Sequence, residues 1–240
     1  MLQRFLLALF LLVPCSAFAA DIVGTPKIRD GDQVTIGASR IRLAGIDAPS
    51  FDQLCLDTKG ERWTCGIAAR DELSKRFGDK EWTCAPVRAD RFGRTVARCK
   101  ADGEDVQSWL VKNGWALSYV QYSRVYDADE KTARDARAGL WAGAFIAPWD
   151  WRVRNKKTQV LGAVKPPDGA RAILLASASG PLAPSPGCTI KGNVNRAGVC
   201  IFHQPTSRWY AKIQMRIAKG TRWFCSVEEA VAAGCRETRR

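Results

Sequence analysis

Gln33-Val34-Thr35-Ile36-Gly37-Ala38-Ser39-Arg40-Ile41-Arg42-Leu43-Ala44-Gly45-Ile46-Asp47-Ala48-Pro49-Ser50 is the stretch whose reading decides the fold. It divides into two short β-type runs, 33–36 and 40–45, with turn signals between and after them. Further runs of the same kind lie at 22–28, 81–87 and 95–100. A different period governs the rest: Cys65, Ala69, Leu73 and Phe77 recur every four residues and predict a helix. Residues 106–113 around Leu110, and Ala133, Ala136 and Leu140, predict two more.

Five short strands with three small helices predict a mainly β, α+β domain, a partly closed five-stranded Greek-key barrel of the oligonucleotide-binding (OB) kind. The chain of 240 residues is 46% hydrophobic and 25% charged, which excludes a wholly disordered or collagen-like polymer. Its 37 Lys and Arg against 24 Asp and Glu give a net charge of +13, which suits an acidic polymer or an anionic surface as partner. That charge is uneven: residues 21–155 carry 22 basic and 20 acidic side chains, 156–187 carry 4 and 1, and 188–240 carry 10 and 3.

The first residues have the form of a signal peptide, with Arg4, an apolar run over 5–13, and Ala17 and Ala19 placed for cleavage after Ala19. Cys15 raises a lipoprotein alternative, but Pro14 before it fits a lipobox poorly, so a soluble exported protein, periplasmic or secreted, is expected. No later run is long and apolar enough to span a bilayer. Export favours disulfides over thiolate metal sites. The remaining cysteines fall into two sets, Cys55, Cys65, Cys84 and Cys99, then Cys188, Cys200, Cys225 and Cys235. Neither set contains a CxxC pair, and His203 is the chain's single histidine, so zinc is disfavoured. Cys55 with Cys65, and Cys84 with Cys99 across a hairpin, would close short local loops. Between the two sets, 156–187 is dense in Pro and Gly and reads as a linker, with a short packed element over its apolar 172–176 as the alternative. The expected domains are therefore a leader over 1–19, a barrel over 20–155, the linker 156–187 and a small basic domain over 188–240.

The chemistry-bearing residues lie in short segments. Asp30-Gly31-Asp32 offers hard oxygen ligands before a strand, although the same triplet also makes an ordinary turn. Arg42 and Asp47 are charges set in an otherwise apolar stretch, which implies either a structural ion pair or a ligand. In Asp90-Arg91-Phe92-Gly93-Arg94, a turn between two strands, Arg94 beside Arg42 would clamp a phosphodiester with two planar forks.

Together these segments resemble the staphylococcal nuclease-like (thermonuclease) family. The matching residues are Asp30-Gly31-Asp32, Arg42-Leu43-x-Gly45-Ile46-Asp47-Ala48-Pro49, Gln53-x-Cys55, Asp90-Arg91-Phe92-Gly93-Arg94-x-Val96-Ala97, Gly114-Trp115-Ala116 and Gly139-Leu140-Trp141, across 22–152. The resemblance implies an OB barrel that hydrolyses phosphodiester bonds of DNA or RNA with one Ca²⁺. It implies Asp32 and Asp47 as metal carboxylates and Arg42 and Arg94 as phosphate and transition-state clamps. One position departs: where the family carries the glutamate that orients or deprotonates the attacking water, this chain has Ser50. A neutral hydroxyl is no base near neutral pH, and general-base assistance is worth roughly 10²–10⁴ in rate, so the expectation is a nuclease of reduced activity. Asp52 is a candidate replacement if the turn is reshaped. Tyr119 and Tyr122, with Arg91 and Phe92 on the neighbouring turn, are candidates for base stacking, whereas Trp115 is read as core.

The tail resembles the small domain called sunset, on Cys188-Thr189-Ile190-Lys191-Gly192-Asn193, Ile201-Phe202-His203 and Trp223-Phe224-Cys225. That resemblance pairs Cys188 with Cys225 and leaves Cys200 and Cys235 for a second disulfide. Arg208, Trp209, Tyr210, Lys212 and Arg216 read as an exposed basic surface for nucleic acid or an anionic envelope polymer. The competing function is a non-catalytic protein that grips such a polymer without cutting it.

Overall fold

The computed structural model describes residues 20–178, 187–195, 199–216 and 221–238; the leader expected over 1–19 lies outside them. Four strands open the chain: β1 (Ile22–Gly24), β2 (Lys27–Asp30), β3 (Gln33–Ile36) and β4 (Ser39–Leu43). Two longer ones follow at Trp82–Ala89 and Thr95–Ala101. The expected strand over 22–28 is in fact two. It breaks at Thr25-Pro26, where proline has no N–H for a ladder, and its halves pair at opposite ends of the sheet. β1 lies against Trp82–Ala89, whereas β2 lies against β3, so one continuous piece of chain bridges both edges and curls the sheet into a barrel. β3 pairs with β4, and β4 runs parallel to Thr95–Ala101 with Arg42 opposite Val96. The architecture is thus the expected mixed α+β barrel.

Helix α1 (Cys65–Phe77) carries the four-residue apolar period, with Cys65, Ala69, Leu73 and Phe77 all buried. Helix α2 (Val106–Lys112) is capped by Asp105, whose carboxylate accepts from Ser108 N at 2.9 Å. The third predicted helix stands corrected. Helix α3 spans Asp127–Asp135 and stops before Leu140, because Arg137 takes a left-handed φ of 51° and breaks the ladder. Leu140 instead sits in a separate 3₁₀ turn, Gly139–Ala142. The turn passes so close to the loop before it that a Cβ at Gly139 would lie 2.6 Å from Gly114 O. The core gathers Val34, Ile36, Ile41 and Leu43 from the strands with Leu73, Phe77, Trp82 and Leu110, and Trp115 packs against it as expected.

The segment expected as a linker over 156–187 is not an open tether as far as Ala178. Its strand Val160–Gly162 pairs with Ala144–Ile146, and helix α5 (Ala170–Leu175) buries Ala170 and Leu174 against Leu56, Ile146 and Trp151. Apolar burial overrides the Pro and Gly punctuation here. Residues 179–186 lie outside the described ones.

The tail forms a second sheet of four strands, in the order Arg222–Phe224, Ile190–Val194, Cys200–His203, Arg236–Glu237, with helix α6 (Val227–Ala232). All four expected disulfides are present, Cys55–Cys65, Cys84–Cys99, Cys188–Cys225 and Cys200–Cys235. Among the described residues no helix is long and apolar enough to cross a membrane.

Candidate nuclease site

The barrel topology brings the charged segments to one face. Gln33 on β3 lies opposite Arg42 on β4, and the parallel pairing of β4 with Thr95–Ala101 sets Arg94 next to that ladder. Gly45, at φ 74°, reverses the chain after β4 so that Asp47 returns beneath Arg42. The result is a cleft of about 720 Å³ whose wall includes Asp32, Arg42, Ser50, Arg94, Tyr119 and Tyr122.

Each arginine is aimed before any ligand arrives. Arg94 donates from Nε to Asp90 Oδ2 at 2.7 Å and from Nη1 to Gln33 Oε1 at 2.6 Å. Asp90 also accepts from the backbone N–H groups of Phe92 and Arg94 at 2.8 and 3.0 Å, so the turn and the side chain it orients are built as one unit. Although burial pushes the Asp90 carboxyl up, those donors win and hold it below the usual carboxylate range. Arg42 Nη2 sits 3.0 Å from Asp32 Oδ2 and 2.5 Å from Asp47 Oδ1. Asp32 Oδ2 in turn accepts from Ala48 N at 2.9 Å, which ties the strand start to the turn after β4.

The carboxylates are crowded. Burial first, and then the charge of Asp32, push Asp47 up to about 6 and Asp30 up to about 8. Arg42, bridging Asp32 and Asp47, and Arg152, on Asp47, offset this crowding in the free protein. Among the described residues no group of three or more His, Cys, Asp or Glu side chains is gathered to hold a metal, and Asp32 and Asp47 are paired with Arg42 and Arg152. Asp32 and Asp47 are the oxygen donors that would hold a hard divalent ion in place of guanidinium charge.

The sequence-derived residues converge with few exceptions. Asp32, Arg42, Ser50, Arg91, Phe92, Arg94, Tyr119 and Tyr122 line the cleft, while Asp47 lies beneath it with its side chain 0% exposed. Phe92 is 59% and Tyr122 65% exposed, with Arg91 and Arg94 over the Phe92 ring at 4.8 and 5.4 Å and Arg88 over the Tyr122 ring at 5.0 Å. Asp52 does not line the cleft; its backbone carbonyl accepts from Ala178 N at 2.7 Å. Sequence reasoning missed Gln33, which orients Arg94, and it missed Trp149 and Arg152 on helix α4 (Pro148–Arg152). Trp149 stacks on Tyr119 at 5.3 Å and 12°, and Arg152 pairs with Asp47 Oδ2. The only local hint of them is the density of aromatic and basic residues in Trp149-Asp150-Trp151-Arg152.

The comparisons with known proteins agree with this geometry. The chain matches the family described as staphylococcal nuclease homologue over residues 40–143. It is 33% identical to the succinoglycan biosynthesis protein ExoI of Rhizobium meliloti (strain 1021) over 138 residues, 56% of this chain and 72% of that protein. It is 34% identical to the staphylococcal-like nuclease CAN1 of Arabidopsis thaliana over 129 residues, 52% of this chain but 36% of that protein. An uncharacterized endonuclease of Haemophilus influenzae is 29% identical over 159 residues, 63% of this chain and 84% of that protein. With Arg42, Asp47 and Arg94 within that match, the chain belongs to the staphylococcal nuclease homologue family.

Proposed function

We propose that the protein is an exported nuclease that hydrolyses phosphodiester bonds of DNA or RNA with a divalent cation, Ca²⁺ in the first instance, at a rate lowered by Ser50. The observation that carries this reading is the gathering of Arg42, Arg94 and Asp32 on one cleft wall, with Asp47 directly beneath. Export is supported by four disulfides and by the leader-like residues 1–19.

In this reading Asp32 and Asp47 would hold the cation, and it would supply Lewis-acid polarisation of a phosphoryl oxygen. The chain's own residues do the rest. Arg42 and Arg94 donate to the non-bridging phosphate oxygens, whose charge grows and spreads in the transition state. Arg94 meets them already oriented by Asp90 and Gln33, so little ordering remains at the moment of reaction. Tyr119 and Tyr122 offer ring faces to bases of an unpaired strand. Ser50 can hold a water by its hydroxyl but cannot take its proton, so attack proceeds without the carboxylate base of related chains. The tail, read as a sunset-like module, presents Arg208, Trp209, Lys212 and Arg216 at its surface, and these would add electrostatic grip on the same polymer; Tyr210 is half-buried and bonded to Thr189 O.

The test is release of acid-soluble nucleotides from denatured DNA by the disulfide-intact protein. Release should require Ca²⁺, vanish with a chelator, and fall by roughly 10²–10³ in Arg94→Ala, the usual cost of losing one transition-state donor. Binding to DNA without metal-dependent product would instead identify a gripping protein.

A further inference from the structure

The cleft holds a cation that the reaction just described does not use. Arg152 ends α4, 105 residues beyond Asp47 in sequence, and donates to Asp47 Oδ2 while Arg42 takes Oδ1. Asp47 is thereby sealed, for both its oxygens are held and its side chain is 0% exposed. With guanidinium charge on each oxygen, a hard cation must compete with Arg42 or Arg152 for this carboxylate.

The two guanidiniums are not equally held. Arg42 is 15% exposed, is rooted in the sheet, and keeps Asp32 as a second partner at 3.0 Å. Arg152 is 35% exposed, stands at the end of a five-residue helix, and has Asp47 as its ion-pair partner among the described residues. Arg152 also lines the cleft itself, one turn from Trp149, whose ring stacks on Tyr119. Released from Asp47, its fork would stay in the cleft beside that aromatic pair.

We propose that Arg152 is an exchangeable counter-ion: it holds Asp47 in the free protein, yields Oδ2 to the divalent cation, and then binds a substrate phosphate next to the one gripped by Arg42 and Arg94. This rests on the nuclease reading above and deepens it. The ligand it implies is a phosphodiester chain offering at least two successive phosphates, because Arg42 and Arg94 already serve the first.

The exchange predicts effects of opposite sign. Calorimetric titration of the full, disulfide-intact chain with calcium chloride should show Arg152→Ala binding Ca²⁺ about tenfold more tightly than the native protein, since the competing charge is gone. With Ca²⁺ present, the same variant should bind a phosphorothioate single-stranded oligonucleotide about tenfold more weakly, with the salt slope reduced by about 1. Arg152→Lys, which keeps the charge without the fork, should lie between on both measures and decides the matter if the alanine protein does not fold. Ca²⁺ affinity unchanged or lowered in folded variants, or an unchanged oligonucleotide affinity and slope, overturns the exchange while leaving the nuclease reading intact. A native protein that binds neither Ca²⁺ nor the oligonucleotide overturns both.

Discussion

At Ser50 the chain carries a hydroxyl where the family resemblance implies a carboxylate, and in the proposed reading that one side chain sets the rate. Arg42 and Asp47 were legible in the sequence because each is charged in an otherwise apolar stretch, and Asp32 because it stands in the short Asp30-Gly31-Asp32 motif. Arg152 and Trp149 were not, because their partners Asp47 and Tyr119 are remote in sequence and only the fold brings them together. His203, disfavoured as a zinc ligand, is a buried structural residue. Its Nε2 lies 2.9 Å from Asn193 Oδ1, its Nδ1 has no partner, and burial, with Lys191 adding to it, lowers its pKa below 6.5. The neutral ring is therefore favoured in the folded state, so its contribution to stability is whole above pH 6.5 and is lost as pH falls below that value. Thermal midpoints measured from pH 8 to pH 5 should decline below about 6.5, and His203→Gln should flatten that limb. An unaltered slope in the variant would place the pH response elsewhere.

The elements depend on close approaches that composition does not announce. Helix α1 begins with Cys65-Gly66, and a Cβ added at Gly66 would lie 1.8 Å from the backbone oxygen of Ser50. Only glycine lets the helix start sit on the turn that carries Ser50, and Cys55–Cys65 fastens the same corner. Gly66→Ala should cost about 1–3 kcal/mol, seen as a lower thermal midpoint, and should reduce nucleotide release as the turn shifts. A midpoint equal to the native one would show that the corner relaxes freely. The period of α1 was readable because Cys65, Ala69, Leu73 and Phe77 lie along one buried stripe, whereas the stripe through Ala133 and Leu140 misled because a left-handed Arg137 divides it. Likewise the strand expected over 22–28 was correct in kind but broken by Pro26, and that break is what closes the barrel.

Across the whole molecule, the barrel and the tail meet through charge. Asp71 on α1 accepts from Arg70 Nε at 2.9 Å and lies 3.3 Å from Arg222 Nη2 of the tail sheet, with both guanidiniums nearly buried. Burial pushes the pKa of Arg222 down, the mark of a cation short of solvent, and its Nε and Arg70 Nη2 have no hydrogen-bond partner among the described residues. Asp71→Ala should therefore cost about 1–3 kcal/mol, less than the full penalty for breaking a buried pair because Asp71 is 37% exposed. Scanning calorimetry should show a lower or divided transition, and a single unchanged transition would deny the contact any weight. This junction was invisible in the sequence, since Asp71 and Arg222 belong to segments that composition assigned to separate domains.

The central claim is that the cleft is an intact phosphate and cation site lacking only its carboxylate base. The measurement that tests it most directly is Ca²⁺-dependent release of nucleotides from denatured DNA by the native protein beside Ser50→Glu. The account predicts slow release by the native protein and an increase of roughly 10²–10⁴ in the variant, the worth of a general base restored to its place. A Ser50→Glu protein that is folded, binds Ca²⁺ and cleaves no faster than the native one would contradict it.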